Sequence, residues 1–145
     1  MTLDTTMAEL SQDTNIRKSV FLAAPKTRVW EFLTKTDLLN EWFHPAERDL
    51  AEGEDYTLRS QKDGDRMCWG KVVEARPHDY MKWDFTVGPM NGTMSTVEWE
   101  LTEAPGGTRL TLIHSGLPTD VDGFGLVMAL DKGWHGFLSN LHSME

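Results

Sequence analysis

The stretch TMSTVEWELTEAPGGTRLTLIHSG, Thr93–Gly116, decides the fold class. Val97, Trp99 and Leu101 alternate with Thr96, Glu98 and Glu100. Beyond the APGG turn at 104–107, Leu110, Leu112 and His114 alternate with Thr111, Ile113 and Ser115. Successive strand residues point to opposite faces, so a period of two sorts large apolar residues to one side and polar ones to the other. Two such segments joined by a Pro-Gly-Gly turn predict a hairpin in an antiparallel sheet with one covered face.

The same period runs upstream. DYMKWDFTV (79–87) alternates Met81, Trp83 and Phe85 against Lys82, Asp84 and Thr86, and GPMNG (88–92) turns into the hairpin. RMCWGKVVEARP (66–77) reads as a strand ended by Pro77, in which Trp69 shares the outward parity of Lys71. EDYTLRS (54–60) reads as another strand, joined to it by the turn signal KDGD at 62–65. NIRKSVFLAAP (15–25) is rich in β-branched and apolar residues and predicts the first strand.

Between the first strand and the rest the period is helical. Pro25 suits a first helical position, where its missing N–H costs nothing, and Val29, Trp30, Phe32 and Leu33 follow at helical spacing. Thr36 is expected to cap a second short helix carrying Leu38, Leu39, Trp42 and Phe43. Pro45 stops it by pushing His44 to extended geometry, which reads His44 as a solvent-facing helix terminator. After Pro118, residues Val127, Leu130, Trp134, Phe137, Leu138 and Leu141 keep a helical stripe in a long C-terminal helix. Gly133 and Gly136 interrupt that helix at ~1 kcal/mol each against Ala, pointing to a close backbone approach or a space left open beside Trp134.

Composition narrows the function classes. The chain has 145 residues, a single-domain length, and a formal net charge of −9, which argues against nucleic acid or an anionic membrane surface as partner. One cysteine, Cys68, allows no intrachain disulfide, and a reducing compartment is the default. The first fifteen residues have neither a basic nor an apolar region of a signal peptide, so a cytoplasmic location is expected. No apolar run reaches the ~20 residues that span a bilayer. Residues 1–14 are expected to be a flexible tail and 15–145 one domain.

In this order the stretches AAPKTRVWEFLTKTDLLNEWFHP, GKVVEARPHDYMKWDF, GGTRLTLIHSGL and GWHGFLSNL resemble the START-like (SRPBCC, Bet v 1-like) helix-grip superfamily. Within it they resemble the branch named after activators of the Hsp90 ATPase. The resemblance implies an α+β fold: a curved antiparallel sheet wrapped around a long C-terminal helix, with two short helices after the first strand. It also implies a cavity between sheet and helix, roofed by the second short helix. Carried onto this chain, the lining would be Trp42, Phe43, Met81, Trp83, Phe85, Trp99, Leu112, His114, Trp134 and Leu138. Each of these rings and aliphatic chains equally fits a packed core.

His114 is the polar residue of most interest, lying on an apolar face. A buried imidazole needs hydrogen-bond partners, which could be a neighbouring hydroxyl, a loop carbonyl or a ligand oxygen. The five histidines show neither close His–His spacing nor a Cys pair for zinc, so no metal or cofactor is expected. No catalytic residue is assigned, since the chain has no G-x-S-x-G and Ser115 points away from His114. The first reading is binding of a small hydrophobic or lipid-like ligand by a monomer or homodimer. The second is an Hsp90-type, stress-linked interaction module with a chaperone partner, and the third is a small cyclase or hydrolase using His114.

Overall fold

The computed structural model of the protein describes residues 15–118 and 123–143. The expected tail at 1–14 lies outside the described residues. Among the described residues, six strands form one antiparallel sheet in the order β1-β6-β5-β4-β3-β2. They are β1 (Ile16–Leu22), β2 (Asp55–Arg59), β3 (Arg66–Arg76), β4 (Tyr80–Phe85), β5 (Ser95–Ala104) and β6 (Gly107–Ser115). Helices α1 (Lys26–Thr34) and α2 (Thr36–Trp42) follow β1, and α3 (Phe124–Ser143) is the last of the described elements.

The central hairpin has the expected register. Val97, Trp99 and Leu101 lie opposite His114, Leu112 and Leu110, and all six are buried. On the other face Tyr80 donates to Glu98 at 2.5 Å, among half-buried Lys82 and Glu100. At the turn, Gly106 has φ +83°, and a Cβ on Gly107 would sit 2.1 Å from the Leu22 carbonyl oxygen. That second glycine lets the end of β1 cross the hairpin tip.

Strand β3 is less regular than its alternation implies. A bulge between Val72 and Glu74 leaves Val73 unpaired and exposed, and moves the inward set from even to odd numbers. Below the bulge Trp69 points outward with Lys71, as their shared parity requires, and lies under the Arg66 guanidinium at 3.9 Å from the ring centre. Gly70 cannot carry a side chain, because its Cβ would meet the Asp84 carbonyl oxygen at 2.1 Å. That oxygen accepts the Tyr56 hydroxyl at 2.6 Å, and the Tyr56 ring packs on Trp83.

The two short helices differ in detail from their reading. Pro25 stands one residue before α1, its carbonyl accepting the N–H groups of Arg28 and Val29. Lys35, not Thr36, caps α2. The Thr36 hydroxyl is drawn instead to the chain leaving the helix: it donates to the Ala46 carbonyl and accepts the Ala46 N–H. The Trp42 indole N–H donates to the Phe32 carbonyl at 2.8 Å, locking α2 onto the end of α1.

Helix α3 is seated by its C-terminal half. Trp134, Leu138 and Leu141 are buried, while Val127 and Leu130 are half-buried and Phe124 and Met128 stand 65% and 55% exposed. Lys18 pairs with Asp131, and the His142 Nδ1–H donates to the Phe21 carbonyl, tying the helix to β1. A Cβ at Gly136 would meet nothing within 4 Å. Gly136→Ala should therefore raise the unfolding free energy by about 0.5–1 kcal/mol through helix propensity alone, read from urea denaturation. A loss of stability would show that the position has a packing role.

Candidate functional site

Between α3 and the sheet the aromatic rings divide into an inner stack and an outer wall. Trp99 is at the centre of the stack, with Trp83 at 5.4 Å, Trp134 at 5.7 Å and Trp42 edge-on at 6.1 Å. Trp83 and Trp99 have no exposed surface. Offset and edge-on rings at these distances are attractive beyond the area they bury. Their indole nitrogens have no hydrogen-bond partner among the described residues, an omission that typically costs about 1–3 kcal/mol for each buried donor.

His114 is part of this packed layer and is fully bonded. The Trp134 indole N–H, which can only donate, reaches His114 Nδ1 at 3.0 Å, so Nδ1 is the acceptor and the ring proton sits on Nε2. Nε2–H then donates to Ser95 Oγ at 2.8 Å, and the Ser95 hydroxyl donates to the Phe85 carbonyl at 2.9 Å. Burial lowers the His114 pKa to about 4, keeping the ring neutral at neutral pH. As placed, neither ring nitrogen is free to meet a ligand or to take a proton from one.

The outer wall encloses an apolar pocket of about 200 Å³ open to the surface. Phe43 and His44 close one side where α2 ends, Met67 and Cys68 of β3 another, and Phe85 and Val87 form the floor. Helix α3 supplies Ala129, Leu130, Gly133, Trp134 and Phe137. At Gly133 the nearest atom to an added Cβ is the edge of Phe137, 4.0 Å away. This glycine leaves room beside Trp134, the second of the two roles its sequence allowed.

Of the ten residues expected to line a cavity, Phe43, Phe85 and Trp134 meet at this pocket. Trp42, Trp83, Trp99 and His114 form the layer behind them, and Leu112 is wholly buried opposite Trp99 and Lys18. Met81 lines a different groove of about 490 Å³, between α1 and the β3–β4 turn, with Trp30 and His78. Leu138 lies on the far flank of α3, in a groove shared with Val20 and His135.

The lining residues outside that expected set are His44, Met67, Cys68, Val87 and Ala129, together with Leu130 and Phe137, named only as part of the helical stripe, and Gly133, marked only as a possible opening. Cys68 and Val87 had inward parity as their only signal. His44, expected to face solvent, is half-buried: its ring packs on Phe43 at 5.0 Å and edge-on against Phe137 at 5.2 Å. Burial lowers the pKa of His44 and pushes that of the Cys68 thiol up, so both are neutral at neutral pH. Among the described residues, no cluster of three or more His, Cys, Asp or Glu could hold a metal ion. None of the described helices is long and apolar enough to cross a membrane.

Residues 23–144 match the family described as Activator of Hsp90 ATPase homolog 1-like protein, nearly the whole chain. The chain belongs to that family. Solved structures share its helix-grip fold. A protein of Mesorhizobium loti superposes with a TM-score of 0.78 at 22% identity, over 90% of this chain and 95% of that one. An Aha1 dimer from Colwellia psychrerythraea gives 0.74 at 19% identity, over 89% and 93%. DynU16, from the dynemicin biosynthetic locus, gives 0.72 at 28% identity, over 89% of this chain but 46% of its own. No curated protein gives a significant match.

Proposed function

We propose that this member of the family binds a small apolar molecule, of the size of one ring or a short alkyl chain, in the pocket beside Gly133. The observation that carries the reading is the open apolar pocket of about 200 Å³ walled by Phe43, Phe85 and Trp134. That volume lies below the ~300–1,000 Å³ typical of drug-sized sites. It is slightly above the ~150 Å³ of an engineered apolar cavity that admits benzene. The ligand rests on Phe43, Phe85 and Trp134 and not on Trp83 or Trp99, which offer it no surface.

Titration with small aromatic and alkyl probes, followed by tryptophan fluorescence and thermal shift, tests the proposal. Trp134 lines the pocket, so its emission should respond to occupancy. Gly133→Leu should fill the pocket, abolish binding and leave the protein at least as stable, because Leu is the better helix former. If no probe raises the melting temperature, or Gly133→Leu binds as well as wild type, the pocket is not a binding site.

A second reading, a chaperone-linked interaction module, is supported by the family description and by Phe124 and Met128 exposed near the start of α3. Stimulation of an Hsp90-type ATPase, lost on Phe124→Ser/Met128→Ser and kept on Gly133→Leu, would establish it over ligand binding.

A further inference from the structure

We infer that His44 is the polar anchor of the pocket, and that its ligand is an uncharged apolar molecule bearing one hydrogen-bonding oxygen, of the phenol, alcohol or carbonyl class. The inference rests on the proposed pocket function and adds the chemical class of what enters. Its basis is the contrast between two histidines. His114 has both nitrogens engaged by Trp134 and Ser95. His44 lines the pocket itself, and among the described residues neither of its nitrogens has a hydrogen-bond partner.

The two aromatic neighbours fix the His44 ring without using its nitrogens. Phe43 packs across it at 39° and Phe137 meets it at 72°. A neutral imidazole offers one donor and one acceptor, and the half-buried His44 ring keeps both reachable from solvent, so a ligand oxygen can take the place of water on either nitrogen. Among the described residues, the only other ionisable group on the lining is Cys68, whose thiol is a weak donor. A carboxylate entering the pocket would therefore meet no cation among the lining residues, and desolvation would disfavour it. A hydroxyl or carbonyl oxygen meets His44 at no such cost.

Matched probes decide the matter: 4-ethylphenol, ethylbenzene and 4-ethylbenzoate, measured by calorimetry at pH 7.5 on wild type, His44→Phe and His44→Gln. In a pocket with no polar partner the phenol is the poorer ligand, since its hydroxyl is desolvated for nothing. Wild type should instead bind the phenol roughly fivefold to tenfold more tightly than ethylbenzene, the range expected of one net hydrogen bond. His44→Phe should remove that preference by weakening the phenol alone, and His44→Gln should restore part of it. Equal binding of phenol and ethylbenzene by wild type, or a preference that survives His44→Phe, overturns the role of His44 and leaves the pocket function standing. Tighter binding of 4-ethylbenzoate than of the phenol overturns the uncharged class. Binding of none of the three overturns the pocket function, and this inference with it.

Discussion

Trp134→Ala is expected to lower the unfolding free energy by about 3–5 kcal/mol. The side chain is buried and touches Phe43, Phe85, Trp99, His114 and Phe137 at ring-centre distances of 5.3–6.4 Å. Its removal opens a void between α3 and the sheet and takes from His114 the donor to Nδ1. Against a total stability of about 5–15 kcal/mol for a natural domain, such a loss is a large share, and it brings a domain at the low end of that range close to unfolding. Trp134→Phe separates the two contributions by keeping most of the ring and deleting the N–H. About 1–3 kcal/mol should be lost there, the usual cost of a buried acceptor without its donor. Urea denaturation followed by far-ultraviolet circular dichroism measures both. A Trp134→Ala loss under 1 kcal/mol would mean that the aromatic layer does not hold the helix down.

The second large effect is on acid stability. The folded-state pKa of His114, about 4, lies below the ~6.5 of an exposed imidazole. Above pH 6.5 the ring is neutral in both states and has no influence on the pH dependence. As the pH falls below 6.5 the unfolded chain takes up a proton that the folded chain refuses, so stability declines until the folded pKa is reached. The decline should reach about 2 kcal/mol at pH 5 and roughly 3 kcal/mol near pH 4, from 1.36 kcal/mol per unit of pKa difference. Carboxylates add their own slope lower down, so the window to read is pH 6.5 to 5, as the difference between wild type and His114→Gln. The Gln variant should be less stable at pH 7.5 and should show a flatter profile across that window. Parallel profiles would place the His114 proton equilibrium elsewhere.

Much of the fold was legible because its signals are local. Alternation in 79–87 and 93–116 depends on the opposite facing of neighbouring strand residues, and it named the inward set Met81, Trp83, Phe85, Val97, Trp99, Leu110, Leu112 and His114, all buried. The bulge after Val72 was not legible, because no residue type there differs from those of a regular strand. The capping of α2 also escaped, since the Thr36 hydroxyl has a choice of partners. It takes Ala46, ten residues on, once the loop folds back.

The candidate site was legible only as a set of rings. Parity shows that Phe85, Trp83 and Trp99 share a face, but not that one borders open space while the other two bury each other. His114 is bonded to Ser95 and Trp134, nineteen and twenty residues away, and no local pattern reports such partners.

The sequence by itself determined a single antiparallel sheet, two short helices and a long amphipathic one, because backbone periodicity translates directly into which face is apolar. It also marked Gly133 as a place where the helix forgoes a side chain. Only the tertiary structure decided that the Trp83–Trp99–Trp134 layer is closed, that His114 is spent on holding it, and that the opening falls among Phe43, His44 and Gly133. Packing is the reason. Flat rings from α2, β4, β5 and α3 cannot all meet edge and face at once, and where the mismatch leaves room depends on their joint geometry, not on any one segment.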